Sequence, residues 1–353
     1  MSLNPSPPAS SLRRAVPVAL LAVLLLVVAG AAVAVTAAYF ELRPAPTPAG
    51  SIALTDDLGR SVAVPHDPAR VVVIGASIVD SMVLLGLGEK IVGVDCGIPS
   101  AGGISQDYNS TQISQWGLAS VACVESYPSF DVPDVLNASP DLVLSSTLVS
   151  VATLEQMSTT YGIPVVVLQP SSLGGILVDV ALLGEIFGVA SAAQSLEDQL
   201  QQVLGTVGSA VANLTSSLSF SSLPTVLLTY DASPASGPFP GYYTYGPGTF
   251  GESLLEFVGA TSISANSTLP YPELSGPQVL YADPSIILYG TGFGLTLANT
   301  YEVAPDWSSL PAVSSGSAYS VDSNFLTEPD PTMILEGVPL LLHILHPGLL
   351  PPG

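Results

Sequence analysis

Short β-branched runs alternate with helical spacing along most of the chain. The run Val71–Ile74 is apolar at every position, which is typical of a strand buried on both faces. Helical spacing follows from Ser77 to Leu85, and Ile91–Asp95 predicts the next strand. The alternation continues with a predicted helix at 131–137, strand at 142–145, helix at 151–161 and strand at 165–168. Four short strands separated by helices favour a parallel α/β lobe.

A long helical stretch divides this series from a second one. Helical spacing runs from Leu173 to Leu218, with a break near Gly188. Strands are then predicted at 225–230, 285–289 and 318–322, and helices at 251–258 and 331–345. We predict an α/β fold of two Rossmann-like lobes with parallel sheets, residues 52–172 and 223–347. One long helix within a connecting region, 173–222, joins them and leaves a ligand cleft between the lobes.

The polar, Gly-rich loop from Gly97 to Pro128 is long enough to require a functional or covalent explanation. Cys96 and Cys123, the only cysteines, flank most of it. In an oxidising exterior, a disulfide closing a loop of about 28 residues would contribute on the order of 3 kcal/mol. Two separate buried thiols are the alternative. Two Cys and three His cannot form a closed structural zinc site, so we expect no metal.

The N-terminal region has the pattern of a membrane anchor. Residues 15–40 carry no charge and are long enough to cross a bilayer as a helix. Arg13 and Arg14 precede them, so the positive-inside rule places 1–14 in the cytoplasm and the remainder outside. We favour a transmembrane signal-anchor over a cleaved signal peptide, whose apolar region is normally shorter. A Pro/Ala-rich tether, 41–51, follows, and four Asn-x-Ser/Thr sequons agree with an external location.

Charge narrows the possible ligands. Lys and Arg total 6 against 28 Asp and Glu, which excludes a nucleic-acid-binding protein. No cation follows Lys90, so the rest of the chain cannot clamp a phosphate or carboxylate with Arg or Lys. The formal charge of −22 would be self-repulsive at pH 7. We therefore hypothesise an acidic exterior, where most carboxylates are protonated.

Several motifs occur in a fixed order. Residues 55–94 read TDDLGRSVAVPHDPARVVVIGASIVDSMVLLGLGEKIVGV, and four further stretches follow: PDLVL at 140–144, YGIPVVVL at 161–168, YYTYGPGTFGESLLEFVGA at 242–260 and WSSLPAV at 307–313. The end, 328–347, reads EPDPTMILEGVPLLLHILHP. In this order the motifs resemble the class III periplasmic-type binding proteins, which serve importers of cobalamin, ferric siderophores and haem. The resemblance spans about residues 52–347 and implies the same two lobes and rigid connecting helix.

The resemblance also implies ligand-contacting residues. In the vitamin B12-binding member, aromatic side chains from both lobes contact the corrinoid, and a further loop faces the cleft. The matching positions here are Tyr127, Tyr271, Asn324 and Phe325, with Tyr242, Tyr243 and Tyr245 in the loop. Aromatic side chains suit a large ring ligand because they supply contact area and a polar group at low entropic cost.

Two departures from the family concern docking and charge. The family carries a surface Glu on each lobe that pairs with Arg residues of the permease, and here these positions are Pro133 and Pro277. Asp134 and Glu273 are close enough in sequence to substitute as transporter-docking residues. The family's ligand-contacting Arg aligns with Glu328, in keeping with the missing cations.

These observations favour a non-catalytic, membrane-anchored solute-binding protein, monomeric and without a cofactor. It would deliver its ligand to the permease and ATPase subunits of an ABC importer. Cobalamin ranks first, a near-neutral ferric siderophore second and haem third, because a multiply negative complex would lack compensating cations. A membrane-anchored sensor or scavenger without a permease is the alternative suggested by the two prolines. An enzyme is disfavoured, since no nucleophile-elbow or phosphate-loop signature occurs.

Overall fold

The computed structural model describes residues 50–95, 110–118, 121–124, 130–147, 149–217, 223–233, 241–292, 295–304 and 306–349. They belong to one compact unit, Pro48–Gly353. Within these ranges, no helix combines the length and apolarity needed to cross a bilayer. The predicted transmembrane segment 15–40 lies outside the described residues.

The N-terminal lobe consists of a hairpin and a parallel sheet with helices around it. The antiparallel hairpin pairs β1 (Ser51–Thr55) with β2 (Ser61–Pro65). The sheet has the order β5-β4-β3-β6-β7, comprising β3 (Val71–Ile74), β4 (Ile91–Asp95), β5 (Ala122–Val124), β6 (Leu142–Ser145) and β7 (Val165–Val167). Its helices are α1 (Ala76–Leu84), α2 (Ser110–Gln115), α3 (Val132–Ala138) and α4 (Val151–Tyr161). The sequence predicts four of the five strands, and the fifth, β5, lies within the predicted loop.

Two consecutive helices connect the lobes. They are α5 (Leu173–Ile186) and α6 (Ala190–Ser217), separated at Gly188, whose φ of 65° lies in the left-handed region. At 1.5 Å per residue, the 28 residues of α6 extend about 42 Å. The chain reverses where α5 meets α6, because Gly184 leaves room for Ala193 to pack against the backbone of α5.

The C-terminal lobe is built on a mixed sheet, so the prediction of parallel sheets is wrong for this lobe. Its central order is β11-β9-β8-β12-β13, and β10 pairs with β8. The strands are β8 (Thr225–Ser233), β9 (Gly241–Thr244), β10 (Thr261–Ser262), β11 (Glu273–Ser275), β12 (Ile286–Thr291) and β13 (Ala318–Asp322). Strand β9 returns antiparallel along β8 and pairs with β11, which a reading of β-branched runs does not detect.

Short helices surround this second sheet. They are α7 (Phe250–Phe257), α8 (Gly276–Ala282), α9 (Pro311–Ser314), α10 (Asn324–Thr327) and α11 (Val338–Leu345), with a 3-10 turn at Trp307–Ser309 and π-helical turns at Leu297–Tyr301 and Met333–Gly337. The predicted closing helix 331–345 is confirmed: the chain is helical throughout these residues, with a π-helical turn at Met333–Gly337 that α11 continues. The segment from Met333 to Leu345 is termed the closing segment below.

The two lobes repeat one structural unit. Residues 133–144, PDVLNASPDLVL, align without gaps to residues 277–288, PQVLYADPSIIL. In each lobe this stretch forms a short helix and the strand beside the first strand of the sheet, α3–β6 next to β3 and α8–β12 next to β8. Both helices end at a left-handed residue, Ser139 with φ 50° and Asp283 with φ 46°. Pro133 and Pro277 thus occupy equivalent positions in the two lobes.

The main hydrophobic core is continuous across both lobes. One cluster joins Val73 of the first sheet, Leu200 of α6, Leu228 of the second sheet and Leu341 of α11. Smaller clusters cover the outer face of each sheet. Because the connecting helices share their core with both sheets, we expect relative movements of the lobes to be small displacements and not a wide opening.

Candidate functional site

The carboxyl edges of the two parallel strand sets face each other. Helix α1 starts directly after β3, and residues 323–337 directly follow β13. The backbone N–H of Ser77 in α1 donates to Glu328 Oε2 at 3.2 Å, so these two edges are in contact. Ligands of open α/β sheets bind beyond the carboxyl ends of the strands. The candidate site therefore lies along this contact, between the lobes.

Four tyrosines, the tyrosine cluster, lie together in the C-terminal lobe near this contact: Tyr230, Tyr243, Tyr245 and Tyr271. The ring centroid of Tyr230 lies 4.9 Å from that of Tyr245 and 6.4 Å from that of Tyr243. The ring of Tyr271 meets Tyr245 edge to face at 6.0 Å. Tyr271 is 57% exposed, whereas Tyr245 is buried. The cluster thus presents an open aromatic ring supported by packed rings, which suits a large ring ligand.

The phenols of half-buried Tyr230 and buried Tyr245 stay protonated over the physiological range. Burial raises the pKa of Tyr230 to about 12. Burial raises the pKa of Tyr245 well above 10, and the neighbouring groups that add to the effect include Tyr230 and Glu328. A neutral phenol offers a hydrogen bond without a charge. The influence of Glu328 also places the cluster beside the contact between the lobes.

Tyr230 is the member that sequence reasoning missed as a site residue. It lies in β8, the strand that pairs with both β9 and β12. The sequence does contain one indication of this role: Tyr230 is the last residue of the predicted strand 225–230. Side chains at the carboxyl ends of parallel strands lie at the edge of the sheet where ligands bind. The resemblance does not mark this position, so the sequence predicts Tyr230 only as part of a strand.

Tyr242 is a correction to the predicted site. The predicted loop is strand β9, in which successive side chains point to opposite faces. The ring of Tyr242 is 1% exposed and packs against Trp307, with centroids 6.3 Å apart. Its neighbour Tyr243 points to the other face of the strand and belongs to the tyrosine cluster. Tyr242 therefore has no ring surface available to a ligand and belongs to the core of the C-terminal lobe.

Asn324 and Phe325 begin α10 at the carboxyl edge of β13. The backbone N–H of Asn324 donates to Asp322 Oδ1 at 3.0 Å, which fixes the turn out of the strand. Phe325 is half-buried and packs against the main core beside Gly337. Both residues lie on the site's edge of the lobe, but Phe325 contributes part of its surface to packing.

The remaining predicted residues divide between described and undescribed positions. Tyr127 and Cys96 lie outside the described residues. Cys123 lies on β5 and is disulfide-bonded. No three His, Cys, Asp or Glu side chains in the described ranges are grouped to hold a metal ion.

The candidate docking residues flank equivalent helices. Asp134 lies in the first turn of α3, and its backbone N–H donates to Oδ1 of the N-cap residue Asp131 at 3.4 Å. Glu273 is exposed on β11, directly before α8, and pairs across the sheet with Tyr243. Pro133 and Pro277 occupy the first turns of the two helices, where a missing N–H removes no helical hydrogen bond.

All three cations in the described part of the chain lie at the opposite edge of the N-terminal sheet. Arg70 and Lys90 directly precede β3 and β4, and Arg60 contacts the carbonyl of Val165 at the start of β7. Each is engaged there: Arg60 pairs with Asp56 at 2.6 Å, Lys90 with Asp67 at 2.7 Å, and Arg70 Nε donates to Ser139 O at 2.9 Å. None is available to a ligand at the carboxyl edge.

Two surface cavities also lie away from the carboxyl edge. They have volumes of about 390 and 410 Å³ and are lined by the β1–β2 hairpin together with the turn between α4 and β7. Their lining shares no residue with the tyrosine cluster. We therefore assign the candidate site from the strand topology and the aromatic side chains rather than from these cavities.

The sequence profile of the periplasmic binding protein family matches residues 71–325. A cobalamin-binding protein of Halobacterium salinarum is 26% identical over 324 residues, covering 88% of this chain and 80% of that protein. An Fe3+-hydroxamate transport protein of Saccharomonospora viridis is similar in structure, with a TM-score of 0.63, 19% identity and coverage of 84% of this chain and 99% of that one. The periplasmic vitamin B12-binding protein of Vibrio cholerae gives a TM-score of 0.61, 18% identity and coverage of 80% and 98%.

Proposed function

The chain belongs to the periplasmic binding protein family, and we propose that it captures cobalamin or a near-neutral ferric siderophore and delivers it to an ABC importer. The family is non-catalytic. One observation carries the ligand class: the tyrosine cluster lines a carboxyl edge that none of the described Lys and Arg side chains reaches. Cobalamin takes first place because the relative from Halobacterium salinarum is a cobalamin-binding protein.

The absence of Lys and Arg after Lys90 limits the charge of a ligand that the C-terminal lobe can hold. No Lys or Arg follows Lys90, so loops outside the described residues supply none to the C-terminal lobe. A tricatecholate or citrate complex of iron would lose its hydration shell without a compensating charge. A cobalamin or ferric hydroxamate is close to neutral and can be held by aromatic rings, phenols and amides. Haem ranks third, with a tyrosine as the axial ligand.

The repeated units support a docking role for Asp134 and Glu273. Each lobe presents one short Pro-initiated helix with one of these carboxylates in or beside its first turn. The repeat pairs Asp134 with Gln278, so the two carboxylates lie near the starts of equivalent helices and not at matched positions. One acidic group near each of these helices suits a permease with two similar subunits. Asp134 and Glu273 would take the place of the family's docking Glu residues.

The anchored location is also part of the proposal. The uncharged stretch 15–40, preceded by Arg13 and Arg14, would hold the chain in the membrane as a single pass with the binding lobes outside. A monomer suffices for ligand capture. A sensor or scavenger without a permease is the competing function, favoured by Pro133 and Pro277 at the docking positions.

Ligand titration tests the proposed function. The purified chain, kept in detergent, is titrated with cyanocobalamin, a ferric hydroxamate and hemin by calorimetry at acid and neutral pH. We expect saturable submicromolar binding of cyanocobalamin. Tyr271→Ala should weaken it about tenfold, since an aromatic contact is worth about 1 kcal/mol beyond its buried area. Tyr281→Ala is the matched control, because Tyr281 is 94% exposed on α8 and outside the tyrosine cluster.

The outcomes separate the candidates. Binding of the hydroxamate alone would replace cobalamin by the second-ranked ligand, and binding of hemin alone would select haem. No binding of any of the three would refute the ligand assignment while leaving the family membership intact. Equal loss of affinity in Tyr271→Ala and Tyr281→Ala would refute the assigned site.

Docking is tested separately from ligand binding. The variant Asp134→Lys/Glu273→Lys should keep the ligand affinity of the parent and lose stimulation of the ATPase of its importer, because two attractions to cationic partners become repulsions. Glu155→Lys, at an exposed position on α4, is the charge-matched control. Stimulation that survives the double change would place docking elsewhere. Absence of stimulation by the parent protein would favour the sensor or scavenger.

A further inference from the structure

Helix α1 of the N-terminal lobe is capped by the other lobe. Its N-cap residue is Gly75, which has no side chain to accept a hydrogen bond from the first turn. Glycine is needed at this position because φ is 125° and an added Cβ would lie 3.0 Å from Ser146 Oγ. The cap comes instead from Glu328, whose Oε2 accepts from Ser77 N at 3.2 Å. A carboxylate at a helix N-terminus also interacts favourably with the helix dipole.

A second contact crosses between the lobes in the opposite direction. Asp80, on α1, accepts from both Thr332 Oγ1 at 3.0 Å and Thr332 N at 3.2 Å. Thr332 directly precedes the closing segment, so Asp80 binds at the start of that segment. Asp330, two residues before Thr332, accepts a hydrogen bond from Met333 N at 2.7 Å. Each lobe thus supplies a carboxylate to a helix start in the other lobe.

None of the three Lys and Arg side chains that the structure describes accompanies these carboxylates. The titratable groups that face one another here are Asp80 on α1, Asp95 on β4, Tyr245 after β9, and Glu328, Asp330 and Glu336 on the C-terminal side. Asp80 and Asp330 are both buried, at 5% exposure each. Ionising both would place two like charges from different lobes in a poorly solvated space.

Burial and mutual repulsion keep this group partly protonated. Burial raises the pKa of Asp80 to about 6, and Glu336 adds to it. Burial raises the pKa of Asp330 well above its usual range, with further contributions from Asp80 and Glu328. Burial also raises the pKa of Glu328. The hydrogen bonds from Thr332 favour the ionised form of Asp80, so when the pair holds a single proton that proton belongs to Asp330.

We propose that Asp80, Asp330 and Glu328 form a proton-dependent latch between the lobes, closed while the pair Asp80–Asp330 retains a proton and weakened when both carboxylates are ionised. The latch fastens α1 to the closing segment, next to the tyrosine cluster. It would hold the lobes in a fixed arrangement in an acidic medium and allow them more freedom as the pH rises. This inference does not depend on the identity of the ligand.

Distances between labels on the two lobes test the latch in the ligand-free full-length chain. Fluorophores are attached at Glu155→Cys on α4 and Tyr281→Cys on α8, both exposed positions. We expect a narrow distribution of transfer efficiency at pH 4.5 that broadens as the pH is raised to 8 and the pair loses its last proton. Asp330→Asn keeps an acceptor for Met333 N but removes one charge, so its distribution should stay narrow up to pH 8.

Two further variants make the test decisive. Thr332→Val removes the hydroxyl donor to Asp80 and should broaden the distribution at both pH values. Glu256→Gln removes an exposed carboxylate of α7 and should behave as the parent does. A pH-independent distribution in the parent, or a transition in Asp330→Asn equal to that of the parent, would overturn the latch. Circular dichroism of each variant at pH 4.5 establishes that it is folded.

Discussion

Replacing Asp179 with Asn is expected to raise the free energy of unfolding at pH 8 and to leave it almost unchanged at pH 4. Asp179 lies on α5 at 5% exposure, and its Oδ1 has no hydrogen-bond partner among the described residues. Burial raises its pKa to about 8, and Asp57 adds to this. The folded chain therefore keeps the proton that the unfolded chain releases near pH 3.8.

The direction in which the free energy of unfolding changes with pH follows from the number of protons bound by the folded and unfolded states. Between about pH 4 and pH 8 the folded state holds more protons than the unfolded state, so stability falls as the pH rises through this window. Each unit of pKa difference corresponds to about 1.4 kcal/mol, and part of this is lost to relaxation around the charge. We expect a gain of about 3 kcal/mol for Asp179→Asn at pH 8. At pH 4 both side chains are neutral in the folded state, and the gain vanishes.

Urea unfolding followed by circular dichroism at the two pH values measures this difference. Asp198→Asn is the matched control, because Asp198 is exposed on α6. An equal change at pH 4 and pH 8 would mean that Asp179 acts through packing and not through its charge. The parent chain should itself be more stable at pH 4 than at pH 8, which is the behaviour expected of a protein from the acidic habitat hypothesised from its composition.

The second large effect is expected at Tyr242. Its ring is almost completely buried against Trp307, which also contacts Tyr289 at 5.3 Å and Tyr301 at 5.5 Å. Removing a buried aromatic ring leaves a cavity and costs about 3–5 kcal/mol. Tyr242→Ala should lose stability of this size, while the protein that remains folded keeps the ligand affinity of the parent.

Tyr271→Ala should show the reverse pattern, with weaker ligand binding and little change in stability, since Tyr271 is 57% exposed. Thermal unfolding and calorimetric titration of both variants distinguish core from site. Tyr281→Ala controls for the loss of a tyrosine and should change neither quantity. A stable Tyr242→Ala variant with weakened ligand binding would return Tyr242 to the site and refute its assignment to the core.

Four strands of the N-terminal lobe could be predicted because each is a short apolar run that can be recognised from neighbouring residues alone. Val71–Ile74 is buried at all four positions, as an uninterrupted apolar run in a sheet covered on both faces must be. Strand β5 could not be found in this way, since its three residues carry too little periodicity. The same holds for β9, whose antiparallel pairing with β8 is a tertiary contact.

The repeat of 133–144 at 277–288 is a signal that the sequence contains and that element-by-element reading missed. It identifies the equivalent helices of the two lobes without any structure. Its physical basis is that both stretches must start a short helix, end it at a left-handed residue and enter a buried strand. The same local geometry selected the same residue types at the same spacing.

The sequence by itself determined the class of fold and the lack of Lys and Arg after Lys90, because strand periodicity is local and composition holds in any conformation. The tertiary structure decided which tyrosines lie in the tyrosine cluster. Tyr242 and Tyr243 are adjacent in sequence, and the pleat of β9 alone sends one ring to Trp307 and the other to Tyr230. It also decided that Asp80 meets Thr332 and Ser77 meets Glu328, contacts between residues about 250 positions apart that chain packing alone creates.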